Sequence, residues 1–104
     1  MEKVRPMRLR YAPRARADIA YIHHYIAAHN PRAATAVIRQ IRSTARLLAK
    51  YPGLGRATDI AGVRVLPTAR YPYLVYHRVD DQDLTIVHVR DGRRAAPAAG
   101  DVGD

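Results

Sequence analysis

Apolar positions recur with two periods along this chain, and the switches between them mark out its elements. Met7-Arg8-Leu9-Arg10-Tyr11 alternates apolar and charged residues, the period of a half-buried strand. Pro13 follows, suited to the first turn of a helix because it needs no N–H partner there. Ala15, Ile19, Ile22 and Ile26 then step by 4, 3 and 4 residues, one face of a helix that should end near His29. Tyr21 and Tyr25 lie one turn apart on its flank.

Asn30-Pro31 is a start signal for a second helix, Asn as the cap and Pro at the first helical position. Ala34, Val37, Ile38, Ile41, Ala45 and Leu48 cluster on one face of it as far as about Lys50. Arg32, Arg39, Arg42, Arg46 and Lys50 form a basic stripe on another. So short a connection between the helices implies an αα-hairpin.

Pro52-Gly53-Leu54-Gly55-Arg56 breaks the second helix and leads into a loop. Val63–Leu66 is a short strand stopped by Pro67, Tyr73–Val79 a second, and Leu84–Arg90 a third beyond the polar turn Asp80-Asp81-Gln82-Asp83. A regular hairpin there would set Val79 opposite Leu84 and Val75 opposite His88. One face would then carry Tyr73, Val75, His77 and Val79 with Leu84, Ile86, His88 and Arg90, and the other Leu74, Tyr76 and Arg78 with Thr85, Val87 and Val89. Both faces are partly apolar, so one should lie under the helices and the other be exposed or covered by a partner. The predicted order is β-α-α-β-β-β, an α+β fold with a helical hairpin on a small, mostly antiparallel sheet. Residues 1–94 read as a single domain and the small, polar stretch 95–104 as a disordered tail.

Composition changes this picture in three ways. With no Phe or Trp among 104 residues, Tyr21, Tyr25 and Tyr76 are expected to serve as core fillers. With no Cys there is no disulfide framework, thiolate metal site or cysteine nucleophile. The net charge of +9 is uneven: residues 1–79 hold 15 Lys/Arg against 3 acids, and residues 80–104 hold 3 Arg against 6 Asp. Almost all the cations are Arg, whose planar fork suits phosphate and carboxylate. The partner classes are therefore nucleic acid, the ribosome, a nucleic-acid enzyme or an acidic protein. No apolar run approaches the roughly 20 residues of a membrane span. The first residues lack the apolar stretch of a signal peptide, so a cytoplasmic location without membrane attachment is expected.

Several motifs in order give the chain a family likeness. Arg14-Ala15-Arg16-Ala17-Asp18-Ile19 follows the Pro that opens the first helix; Tyr25-Ile26-Ala27 precedes Asn30-Pro31 and an Ala-rich second helix. Tyr51-Pro52-Gly53-Leu54-Gly55-Arg56 leaves that helix, and Gly62-Val63-Arg64 begins the sheet. Tyr73-Leu74-Val75-Tyr76-His77-Arg78-Val79-Asp80 and Ile86-Val87-His88-Val89 supply its later strands. In this order the motifs resemble the RelE/ParE superfamily of bacterial toxins, and the ParE-like branch in particular, over about residues 7–94.

The resemblance implies a toxin of a type II toxin–antitoxin pair, held in a hetero-oligomer by a cognate antitoxin that wraps a segment over it. The ParE-like branch poisons DNA gyrase without recognised catalytic residues; the RelE-like branch cuts mRNA in the ribosome. RelE-like nucleases place Arg where this chain has Tyr73, a His or Lys followed by Arg where it has Asp91-Gly92, and often a late Tyr that it lacks. Many ParE-like relatives have His where this chain has Asp91, so that position departs from both patterns. Gyrase is therefore the expected target, with no catalytic residue, cofactor or metal. Arg64, Arg70, Arg78, Arg93 and Arg94 are the candidate contacts to target or antitoxin. The alternative is a ribosome-dependent mRNA endonuclease built on Arg64, Arg78 and His88. A third reading is a non-toxic module that only binds DNA or antitoxin.

Each candidate has a plainer reading beside it. The basic stripe of the second helix suits phosphates but is equally a solvated face. His88 is a general-base candidate or a structural histidine, and Arg93 and Arg94 are contacts or surface charge. His23, His24 and His29 lack the i, i+4 spacing of a helical zinc pair and read as surface or cap residues. Gly53 and Gly55 read as helix termination and turn, not as a phosphate loop.

Overall fold

The structure is a computed structural model in which residues 6–93 are described. Arg94 and the expected tail at 95–104 lie outside the described residues. The element order is β1 (Arg8–Tyr11), α1 (Pro13–Ala27), α2 (Pro31–Lys50), β2 (Arg56–Ala57), β3 (Val63–Pro67), β4 (Tyr73–Val79) and β5 (Asp83–Asp91). Five strands form one sheet in the order β1-β5-β4-β3-β2, in which only β1 and β5 run parallel. The α+β hairpin-on-sheet architecture is the expected one, with β2 added. This two-residue strand falls in the expected loop, because Arg56 and Ala57 pair with Val65 and Arg64 and have no apolar period of their own.

The helices start and pack as their sequences dictate. Asn30 caps α2 by accepting from the Ala33 N–H at 3.1 Å, and Pro31 occupies the first turn. Ala34, Val37, Ile41, Ala45 and Leu48 of α2 are buried with Ala15, Ile19 and Ile22 of α1. All of them but Ala34 meet Val75, Leu84, Ile86 and Val89 of the sheet in the main core. Each fully buried Ile or Leu there contributes about 1.5–3 kcal/mol.

Tyr21 and Tyr25 depart from expectation: each is 61% exposed, whereas Tyr76 is buried. At 100° per residue they sit roughly 90–130° from the centre of the Ala15–Ile19–Ile22–Ile26 stripe, too far round α1 to reach the sheet. Their rings stack on each other at 6.2 Å instead.

The β4–β5 hairpin also departs from the regular register. Val79 faces Leu84 as expected, but Val75 pairs with Val89 and Tyr76 with His88, across an irregularity between Tyr76 and His77. His77 pairs with Ile86, so Val87 is the extra residue of a β-bulge. The apolar order of β5 explains it. Leu84, Ile86 and Val89 all enter the main core, a spacing of 2 and then 3 that only a bulge accommodates. Val87 joins a second cluster with Val63, Val65 and Tyr76 on the opposite face, and Ile60 and Leu74 pack against it. That face therefore carries a small core of its own, where alternation suggested an apolar face left exposed or covered by a partner.

Candidate functional site

The path from β1 into α1 builds the first polar cluster. Ala12 donates its N–H to the Ile86 carbonyl at 2.9 Å, the last contact of β1 with β5. Pro13 then turns the chain into α1, so β5 beyond Ile86 has an open edge. Asp18, little more than a turn along α1, reaches that edge. Its Oδ2 accepts from the Val89 N–H at 3.1 Å and from His88 Nδ1 at 2.6 Å, and its Oδ1 accepts from Arg14 Nε at 3.1 Å. Burial pushes the Asp18 carboxyl up, but these three donors outweigh it and hold the group below the ordinary carboxylate range.

His88 is buried, and its ring lies 5.5 Å from that of Tyr76. The Tyr76 hydroxyl accepts from Arg90 Nε at 2.9 Å, and the Arg90 guanidinium sits 5.7 Å from the Tyr76 ring centre. A carboxylate on Nδ1 fixes which imidazole nitrogen carries the proton and leaves Nε2 as the other functional atom. Sequence reasoning singled out His88 but not Asp18, because the two are 70 residues apart.

The other predicted residues are dispersed. Arg64 lies on the same face of β3 as Leu66, which packs on the main core, and its Nη2 donates to the Gly55 carbonyl at 2.6 Å. Gly55 has φ +92°, and a Cβ there would stand 2.6 Å from the Val65 carbonyl oxygen, so this turn requires glycine on both counts. The helix exit Pro52–Arg56 is thus a docking device that lays its turn against β3. His77, opposite Arg64, is buried beneath the same turn, and burial pushes its imidazole below the ordinary range. His77 Nε2 and Arg64 Nε are buried without partners.

Arg78 alternates with His77 and so takes the face of Tyr76 and Val87, opposite Arg64. Arg93 forms a forked pair with Asp91, Nη2 to Oδ2 at 2.7 Å and Nε to Oδ1 at 3.0 Å. Asp91 thus takes up a cation locally. Arg70 is exposed in the β3–β4 loop and faces Arg39 of α2 across a shallow cleft. The sheet order therefore brings together Arg78 and His88 on one face and Arg39 and Arg70 at the other side of the molecule, and it separates Arg64 from Arg78. Among the described residues no group of three or more His, Asp or Glu could hold a metal ion.

A family model described as the ParE toxin of the type II toxin–antitoxin system parDE matches residues 9–96. The chain belongs to the ParE toxin family. A Sinorhizobium fredii (strain NGR234) protein bearing the provisional name toxin Y4kP is 35% identical over 83 residues, which cover 78% of this chain and 86% of the relative. A chain of the chromosomal ParDE toxin–antitoxin system from P. aeruginosa superposes with a TM-score of 0.73 at 27% identity, covering 82% of this chain and 95% of that one. A chain of the RelBE2 toxin–antitoxin complex of Mycobacterium tuberculosis has the same fold, with a TM-score of 0.59 at 22% identity, 88% of this chain and 97% of that one. Among the described residues no helix is long and apolar enough to cross a membrane.

Proposed function

We infer that this toxin inhibits DNA gyrase in the cytoplasm, without catalysis of its own, and that a cognate antitoxin neutralises it in a hetero-oligomer. The observation that carries this reading is the ParE family match across residues 9–96. The scatter of the nuclease candidates supports it. Cleavage of RNA needs a base, an acid and cations converging on one phosphate, yet Arg64 and Arg78 are on opposite faces of the sheet and Arg64 holds a backbone carbonyl. The arginines then act as binding groups, with Arg70 and Arg78 toward target or antitoxin. The antitoxin reading is supported by likeness to chains from two toxin–antitoxin systems.

One observation favours a second reading, ribosome-dependent mRNA cleavage. Asp18 orients the His88 ring as a carboxylate orients a general base, on the sheet face that also carries Arg78. A gyrase supercoiling and cleavage assay with the purified protein, run beside ribosome-bound mRNA, separates the two. Inhibited supercoiling or trapped cleaved DNA with intact mRNA is the expected result. Cut mRNA with unaffected gyrase would overturn it and make His88 and Arg78 catalytic candidates.

A further inference from the structure

The β3–β4 loop is tied down at its base. Thr68 is buried, its hydroxyl donates to the Tyr71 carbonyl at 2.6 Å, and its N–H donates to the Tyr73 carbonyl at 2.9 Å. Tyr71 packs on the main core. The loop is therefore held beside α2, with Arg70 at its exposed tip. Between the two elements lies a cleft of about 210 Å³ lined by Ala36, Arg39, Gln40, Ser43, Arg70 and Tyr71.

Its chemistry is one-sided. Two guanidiniums line it and no carboxylate does. Asp18, Asp83 and Asp91 are engaged elsewhere, with Arg14, with Arg8 and Arg10, and with Arg93. Neither Arg39 nor Arg70 meets a hydrogen-bond or ion-pair partner among the described residues. The Ser43 hydroxyl oxygen accepts from Arg46 at 3.3 Å, which leaves its O–H free to donate into the cleft. Two forks and a hydroxyl, with no competing acid, suit a carboxylate or phosphate oxygen pair.

What lies beyond the cleft selects between these. Ser43, Leu47 and Tyr51 follow at steps of four along one flank of α2, and Leu54 comes next in the helix exit. Leu47, Tyr51 and Leu54 are 44%, 53% and 39% exposed, so the flank runs from a cationic cleft onto an apolar strip. Arg46 and Lys50 continue the cationic stripe beside this flank, but the exposed Leu47, Tyr51 and Leu54 offer a phosphate backbone nothing to bind, whereas the apolar face of an acidic amphipathic segment would cover them.

We propose that the Arg39–Arg70 cleft is the carboxylate receptor for an acidic amphipathic peptide segment of a partner protein, whose apolar residues lie on Leu47, Tyr51 and Leu54. This deepens the antitoxin reading and rests on it for the partner's identity. A helical segment alongside α2 shares its rise per residue, so one acidic residue followed by apolar residues four and eight positions away matches the flank.

The test uses the full chain labelled with 15N and a short, stapled, N-acetylated helical peptide of that pattern. The peptide is made with Glu at the acidic position and, as control, with Gln. The Glu peptide should shift the Nε–H signals of Arg39 and Arg70, and the Gln peptide should bind on the order of tenfold more weakly. In the R39E/R70E variant, still folded by its amide spectrum, the preference for Glu should vanish or reverse. Equal binding of the Glu and Gln peptides overturns the proposal. So do shifts at these arginines with an oligothymidylate but not with the Glu peptide, which would assign the cleft to nucleic acid. The readout is physical binding, so a chain harmless to growing cells would refute the toxin reading without altering this result.

Discussion

Two regions of this protein hold arginines in opposite ways. Around the open edge of β5, Arg14 lies against Asp18, and Arg90 lies against the Tyr76 hydroxyl and ring. Asp18 is itself bonded to the sheet through His88 and the Val89 N–H, and Tyr76 belongs to the sheet. Along α2, the exposed Arg32 and Arg39 and the loop residue Arg70 meet no such partner among the described residues. In the first region the cations help close a gap in the sheet's hydrogen bonding, and removing a member leaves a buried group unsatisfied. In the second they stand exposed to solvent and take no part in the sheet's hydrogen bonding. Charge density alone does not separate these roles, but the presence of a carboxylate or ring within reach does.

The largest effect should come where the boundary of the second region is fixed to the sheet. Gly55→Ala places a Cβ against the Val65 carbonyl at an unfavourable φ and should lower unfolding stability by about 3 kcal/mol. Urea unfolding measures this, and an unchanged midpoint would mean that the turn does not dock as described.

The wired region comes next. Asp18→Ala removes the acceptor for Val89 N–H, His88 and Arg14 and should cost about 2 kcal/mol, while Asp18→Asn, which keeps an acceptor, should cost about half of that. If the two variants lose the same amount, the carboxylate's hydrogen bonds are not what holds the edge.

A pH titration sharpens the same contrast. Burial holds the folded His77 imidazole below its ordinary value. The unfolded chain therefore takes up the proton first, and stability is full above about pH 6.5 and declines below it. Asp18 and Asp83 are held low, Asp18 by donors that outweigh its burial and Asp83 first by Arg8, so their contribution is present above about pH 4 and lost as pH falls through their folded values. Thermal midpoints against pH should show both limbs, and His77→Leu should flatten only the upper one. A single acid limb in the parent chain would contradict the burial of His77.

The smallest effects on stability belong to the unpaired arginines. Arg39→Ala and Arg70→Ala should each change the unfolding free energy by less than about 0.5 kcal/mol. A loss near that of Asp18→Ala would show that these residues have structural partners after all.

Much of the fold is legible in local sequence. The period of α2, the Asn30-Pro31 start, Pro13 and the polar turn at Asp80 act within a few residues of themselves, so their elements are where the pattern places them. The Pro52–Arg56 motif marks the helix exit, although why Gly55 must be glycine appears only when β3 lies against it. The failures have two separate causes. Alternation assumes a regular register, and the bulge at Val87 moves His88 and Val89 relative to β4. Tyr21 and Tyr25 are apolar enough for a core, but their angle on α1 leaves them outside it.

The candidate site divides in the same way. Its residue types, a surplus of Arg and one strand histidine, are read directly from the chain. Which arginine is engaged and which is free depends on partners distant in sequence: Asp18 and His88 meet because β1 runs parallel to β5, and Arg39 and Arg70 because Thr68 ties the β3–β4 loop beside α2. Sequence alone determined the helices, the order of every element but β2 and the sign of the surface, since these follow from short-range periodicity and composition. Strand order, register and the pairing of each charge were decided only by the tertiary structure, because they are set by which side chains the packed core brings within a few ångströms of one another.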